Sequence, residues 1–148
     1  MLNAVYNQRI LELAGNIPRL GRLGDAQASA TAHSKLCGST VTVDLKLSGG
    51  KVSDFAHDVK ACALGQASSS IMARNIIGST PEELREVRET VRRMLKENGA
   101  PPADGKWADV RVLEPVRDYK ARHASTMLTF DAVVEALGKI EAAEGQRM

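Results

Sequence analysis

Aromatic residues make up only 3% of the 148-residue chain, and its 20 basic side chains are nearly balanced by 18 acidic ones. Base-stacking platforms and a phosphate-tracking surface are both missing, which argues against nucleic-acid binding. No apolar run approaches the roughly 18 to 20 residues of a membrane helix, and no charged-then-apolar leader opens the sequence, so a soluble cytoplasmic protein is expected. A phosphate loop, a Gly-x-Ser-x-Gly elbow and a carboxylate pair are absent as well, leaving little support for conventional enzymatic catalysis.

Cysteine is scarce, with two residues, Cys37 and Cys62. In a reducing compartment these are free thiols, metal ligands or reactive groups rather than a structural bridge. The 43% hydrophobic content suffices for a core without disulfides or a structural metal, and one domain over residues 1–148 is expected, with 143–148 a frayed tail.

Hydrophobic spacing predicts a helix over Leu2 to Ala14, ended by Gly15, Asn16 and Pro18. Ala26 to Ala32 reads as a short edge strand. Thr40 to Ser48 alternates cleanly, with Val41, Val43, Leu45 and Leu47 opposite Thr42, Asp44 and Lys46. Gly49-Gly50 supplies a primed hairpin turn, and Lys51 to Lys60 returns with Phe55, His57 and Val59 on one side.

A small-residue helix follows from Ala61 to Ile77, with Cys62 at its start and Gly78 at its end. Thr80, Pro81 and Glu83 form a capping-box signature for the next helix, whose stripe is Leu84, Val87, Val91, Met94 and Leu95. Its charges, such as Glu89 with Arg93, read as a solvated face. Trp107 to Val116 predicts a short helix broken at Pro115, and Ser125 to Ala142 a last one. Strands run together and then helices, without βαβ alternation. This predicts an α+β fold with a small three-stranded antiparallel sheet covered by about five helices.

If the hairpin turns at Gly49-Gly50, facing residues have numbers summing to 99, and extending that ladder sets Cys37 opposite Cys62. Opposed residues in such a ladder have Cα atoms roughly 4.5 to 5.5 Å apart, close enough for two thiols to share one metal or cluster. The simpler reading of each cysteine is a small packed core residue. Cys62 at a helix start would also meet free backbone N–H groups that stabilise a thiolate.

The histidines are weaker candidates. His57, about 16 Å from Cys62 along an extended strand, reads as a core or interface residue. His33 fits a solvated loop. His123, at the start of the final helix, is the best non-cysteine ligand candidate, exposure at the helix start being the simpler reading.

These residues resemble the NifU/IscU-type, SufU-like iron-sulfur cluster assembly scaffolds, over nearly the whole chain. The resemblance is carried by Leu36-Cys37-Gly38 before an amphipathic hairpin and by Ala61-Cys62-Ala63-Leu64-Gly65-Gln66-Ala67-Ser68-Ser69-Ser70-Ile71-Met72. Tyr6, Gly21-Arg22-Leu23, Asp25, Ala26 and Gly78 agree with it. Two positions depart from the family: Ser39 stands where members carry an aspartate. Aligning the family's downstream run on Asp131-Ala132-Val133 puts its third cysteine at Ser125. The family residue before that cysteine, often His or Lys, falls on Ala124, with His123 one position earlier.

The resemblance implies a NifU/IscU N-terminal-domain-like fold and an iron-sulfur cluster scaffold or carrier. Iron or a transient 2Fe-2S cluster would be held by Cys37 and Cys62, with Ser125 and His123 as the nearest helpers. It implies sulfur received from a cysteine desulfurase and clusters passed to apo-protein acceptors, and two chains could share a cluster as a homodimer. The alternatives are a zinc-binding or metal-free regulatory interaction module and a persulfide-carrying sulfurtransferase; the latter lacks a positioned base.

Overall fold

The computed structural model describes residues 6–36 and 38–147. Leu2 and Val5 of the expected first helix, and Cys37, lie outside the described residues.

Helix α1 spans Gln8–Gly15 and does not continue back through Tyr6. Asn7 is extended, at φ −77° and ψ 174°, and its side chain accepts from the Ile10 N–H at 3.0 Å. An asparagine here satisfies a first-turn donor and stops the helix, where periodicity alone runs on to Leu2. Ile10 and Leu13 are buried.

The sheet has the order β1-β2-β3, all antiparallel, with β1 Ala28–His33, β2 Thr40–Ser48 and β3 Lys51–Lys60. Strand β1 is an edge, as expected. Gly49 and Gly50 both take positive φ, 61° and 78°, which a type I′ turn requires. Ser48 pairs with Lys51 and Leu47 with Val52, but Lys46 then pairs with Asp54. Ser53 is the extra residue of a β-bulge, and its hydroxyl donates to the Lys46 carbonyl at 3.2 Å.

The polar face of β2 is not all solvated as its alternation suggests. Asp44 has 0% exposure because residues 22–29 fold over it. Its carboxylate accepts from Arg22 Nε at 2.7 Å and Nη2 at 3.1 Å, from the Leu23 N–H at 2.9 Å and from the Ser29 hydroxyl. Burial alone would raise the Asp44 pKa. The Arg22 and Ser29 hydrogen bonds and the Leu23 amide outweigh it and hold the carboxyl below its ordinary range.

Helix α2 spans Ala63–Asn75 and α3 Pro81–Lys96. Thr80 Oγ1 caps α3 through the Glu83 N–H at 3.1 Å, but the reciprocal half of the capping box does not form. The Glu83 carboxylate is taken instead by Trp107 Nε1 at 2.7 Å and Lys106 Nζ at 3.0 Å, which tie the following loop back to α3. The expected stripe from Leu84 to Leu95 is buried.

Residues Ala108–Asp118 form a 3-10 segment containing Pro115, and a second, Lys120–Arg122, leads into helix α4, His123–Arg147. The final helix thus starts two residues before Ser125 and runs to Arg147. It lies across β1 and β2 and against α2 and α3. The alanines at 28, 30 and 32 of β1 leave room for that approach. One apolar cluster joins every layer, from Ile10 through Val43, Phe55, Ile71 and Val91 to Ile140.

Candidate functional site

Three chain segments meet at one end of the sheet: the β1–β2 connection, the start of α2 and the start of α4. The β1–β2 connection is closed by Ser34 N–H to the Ser39 carbonyl at 2.9 Å and Gly38 N–H to the Ser34 carbonyl at 2.9 Å. Position 37 falls within it, next to Leu36, which is 77% exposed. Ser39 is buried.

The described ladder ends at Thr40 with Lys60, and the bulge has moved its register by one. Extended, it sets position 38, not 37, opposite Cys62. The expected facing of Cys37 and Cys62 requires an unbroken ladder, and the extra residue at Ser53 breaks it.

Cys62 is the N-cap of α2, with φ −68° and ψ 173°. Its carbonyl accepts the first helical bond, from the Gln66 N–H at 2.9 Å, and its side chain makes no capping bond. The thiol is half-buried, free, and beside first-turn amides that a negative charge on sulfur would attract.

The Cys62 thiol points to Ser125, with Sγ 3.5 Å from Oγ. The Ser125 hydroxyl donates to the Arg122 carbonyl at 3.2 Å, so its lone pairs face the sulfur. Gly65 makes this approach possible: a Cβ there would stand 2.7 Å from Ala61 Cβ and 3.2 Å from the Ser125 carbonyl oxygen. A glycine here avoids a clash with Ala61 and leaves room for the Ser125 carbonyl against the first turn of α2.

His123 is not exposed, as the simpler reading had it, but 95% buried by its own fold (5% exposure). Its Nε2 lies 3.0 Å from the Val116 carbonyl and 3.1 Å from that of Arg117. Carbonyls only accept, so Nε2 carries the hydrogen and Nδ1 accepts from Lys96 Nζ at 3.3 Å. The ring therefore staples the 3-10 segment to α4, and its one lone pair is covered by Lys96. Nothing in the charged pattern of α3 distinguishes Lys96 from its solvated neighbours, and only the fold brings it to a residue 27 positions away.

Of the other two histidines, His33 lies at this end of the sheet and His57 lies within it. His57 has 0% exposure, stacks beside Phe55 and donates from Nε2 to the Pro18 carbonyl at 2.9 Å. His33 closes β1 with Nδ1 3.0 Å from Thr40 Oγ1. Among the described residues no three His, Cys, Asp or Glu side chains converge in a way that could hold a metal ion. A closed zinc site of four protein ligands therefore does not fit the described residues alone.

An α+β domain that sets the thiol of an N-cap cysteine against the start of a second helix, at the end of the sheet where β1 connects to β2, defines the class. The chain belongs to the NifU-like N terminal domain family, whose profile matches residues 5–126. It is 31% identical over 136 residues to the iron-sulfur cluster assembly scaffold protein IscU of Thermotoga maritima, covering 92% of this chain and 94% of that protein. It is 25% identical to the zinc-dependent sulfurtransferase SufU of Bacillus subtilis, covering 95% and 94%. The crystal structure of a nitrogen-fixing NifU-like protein (N-terminal) from Brucella abortus superposes with a TM-score of 0.93 at 63% identity, covering 95% of this chain and 97% of that one. No helix among the described residues is long and apolar enough to cross a membrane.

Proposed function

We propose that this chain is an iron-sulfur cluster assembly scaffold or carrier, with Cys37 and Cys62 as its thiolate ligands. The observation that carries this reading is the meeting of Cys62 with Ser125, 3.5 Å apart, at the junction of α2 and α4. The iron-sulfur unit is cargo here. Thiolates suit soft iron-sulfur units, and two of them with a neutral hydroxyl as the third neighbour hold such a unit loosely, which favours transfer over storage. The cluster we favour is a transient 2Fe-2S unit.

Ser125 is a weak helper because its proton is committed to the Arg122 carbonyl and would have to leave for strong ligation. His123 can ligate only through Nδ1, after Lys96 withdraws. The exposed Leu36 beside Cys37 offers an apolar rim to a cysteine desulfurase donor and to apo-protein acceptors. We place this exchange in the cytoplasm, with a cluster shared between two copies as an arrangement that would complete the thiolate count.

A second reading, drawn from the SufU relative's name, is a sulfurtransferase in which Cys62 carries a persulfide. The unbonded first-turn amides beside the sulfur favour it, and the lack of a converging metal-ligand set among the described residues weighs against its zinc-dependent form. Anaerobic incubation with a desulfurase and cysteine, with and without iron, separates the two. A scaffold develops visible absorbance only with iron, whereas a sulfurtransferase gains labelled persulfide on Cys62 without it.

A further inference from the structure

Two contiguous hollows open between α3 and the start of α4, of about 300 Å³ and about 430 Å³, and both are walled by Lys96, Lys120 and His123. Arg88, Arg92 and Arg117 complete a cationic lining in which Asp131 is the one carboxylate. The three arginines already have in-chain partners: Asp131 at 2.7 Å, Glu89 at 2.6 Å and Glu114 at 3.2 Å. Lys96 and Lys120 do not, since among the described residues no carboxylate lies within ion-pair distance of either. Lys96 rests on a neutral acceptor, His123 Nδ1.

Arg117, in the wall of the larger hollow, donates from Nη2 to the Gly99 carbonyl at 2.9 Å and to Glu114 at 3.2 Å. The Nε–H of Arg117 is buried and has no acceptor. With essentially no accessible surface, this donor meets an anion in the hollow only if the Arg117 side chain moves. Lys96 and Lys120 are exposed, and cations that line one concave wall add their fields and raise the local concentration of anions.

We propose that this cleft is an oxyanion site, binding phosphate or the carboxylates of a small molecule between Lys96 and Lys120. The two ammonium groups supply charge without first breaking an internal ion pair, which the arginines could not do. The hollows match a small multivalent anion in size rather than a folded partner. An anion that draws Lys96 away leaves the Nδ1 lone pair of His123 open two residues from Ser125, so the cleft would report to the cysteine site. The proposal does not depend on the scaffold reading, and its test uses no iron.

Metal-free, ¹⁵N-labelled protein is titrated with inorganic phosphate and separately with citrate, with chloride adjusted to hold ionic strength constant. Saturable shifts confined to residues 95–98 and 117–124 and to the His123 ring nitrogens are expected with at least one of the two probes, the stronger identifying the anion class. Lys96→Ala and Lys120→Ala should each weaken binding about tenfold, the loss of one charge-assisted hydrogen bond. Lys139→Ala, on the far part of α4 where Lys139 bonds the Ser29 carbonyl, should not. Shifts that never saturate with either probe, or equal affinity in the Lys96→Ala/Lys120→Ala double variant, overturn the proposal.

Discussion

The sulfur of Cys62 and the hydroxyl oxygen of Ser125 stand 3.5 Å apart, although 63 residues separate them in the chain. That contact is made by two helix starts held together at Gly65, and it sets what a substitution at either end should do.

Replacing the hydroxyl by a thiol is the most direct gain-of-function change. Ser125→Cys puts a second sulfur within the span of one metal, for which sulfur-to-metal bonds are about 2.3 Å. Cluster retention during desalting should rise by at least about tenfold, equivalent to about 1.4 kcal/mol of added affinity. Iron and sulfide analysis of the desalted protein measures it, and unchanged retention would place the third ligand elsewhere.

Crowding the helix contact should act in the opposite direction. Gly65→Ala brings a Cβ to 2.7 Å from Ala61 Cβ and 3.2 Å from the Ser125 carbonyl oxygen, so Ala61 must shift and the start of α4 must give by a few tenths of an ångström. Overpacking of this kind costs about 1 to 3 kcal/mol in urea denaturation. Iron binding should fall further than in a variant matched for stability but remote from the site. A fall no greater than in that control would separate the contact from function.

Much of this arrangement is legible in the residues. Alternation and Gly49-Gly50 define the hairpin, Thr80-Pro81 the start of α3, and the small residues after Cys62 a helix that packs closely. The misses have physical causes. The bulge at Ser53 shows in the residues only as two polar positions, Ser53 and Asp54, between the buried Val52 and Phe55, and it moves the ladder by one, so that its extension sets position 38 opposite Cys62. Asn7 caps a helix inside an apolar pattern that reads straight through it. Asp44 looks solvated because its burial depends on Arg22 and Leu23, brought over it from a different segment. His123 looks exposed at a helix start because its two carbonyl partners belong to the preceding 3-10 segment.

The Asp44 network should be among the costliest polar features to remove. Asp44→Asn keeps the shape and forfeits the charge-assisted bonds from Arg22, for an expected loss of about 1.5 to 3 kcal/mol. Urea denaturation at neutral pH measures it. Loss of less than half a kcal/mol would mean that the exposed Arg22 end of the pair contributes nothing.

His57 should impose a pH dependence on folding. Burial pushes it below the ordinary histidine value of 6.5, and the Pro18 carbonyl and Asp58 offset only part of that. Just below pH 6.5 the unfolded chain then binds the proton and the folded chain does not. Stability is fully present above that pH and declines as pH falls toward the lowered folded value. The urea midpoint of wild type should drop on acidification from 6.5, and His57→Phe should flatten that drop while costing about 1 kcal/mol for the lost bond to Pro18. Parallel wild-type and variant profiles would assign the dependence to other groups.

The central claim, that Cys37 and Cys62 hold an iron-sulfur unit, is tested by anaerobic reconstitution with iron, cysteine and a desulfurase. Visible absorbance and metal analysis are followed in wild type, Cys37→Ala and Cys62→Ala. Colour in wild type that is lost or sharply reduced in each variant is the predicted result. Colour that persists in both variants, or never develops in wild type, would contradict it.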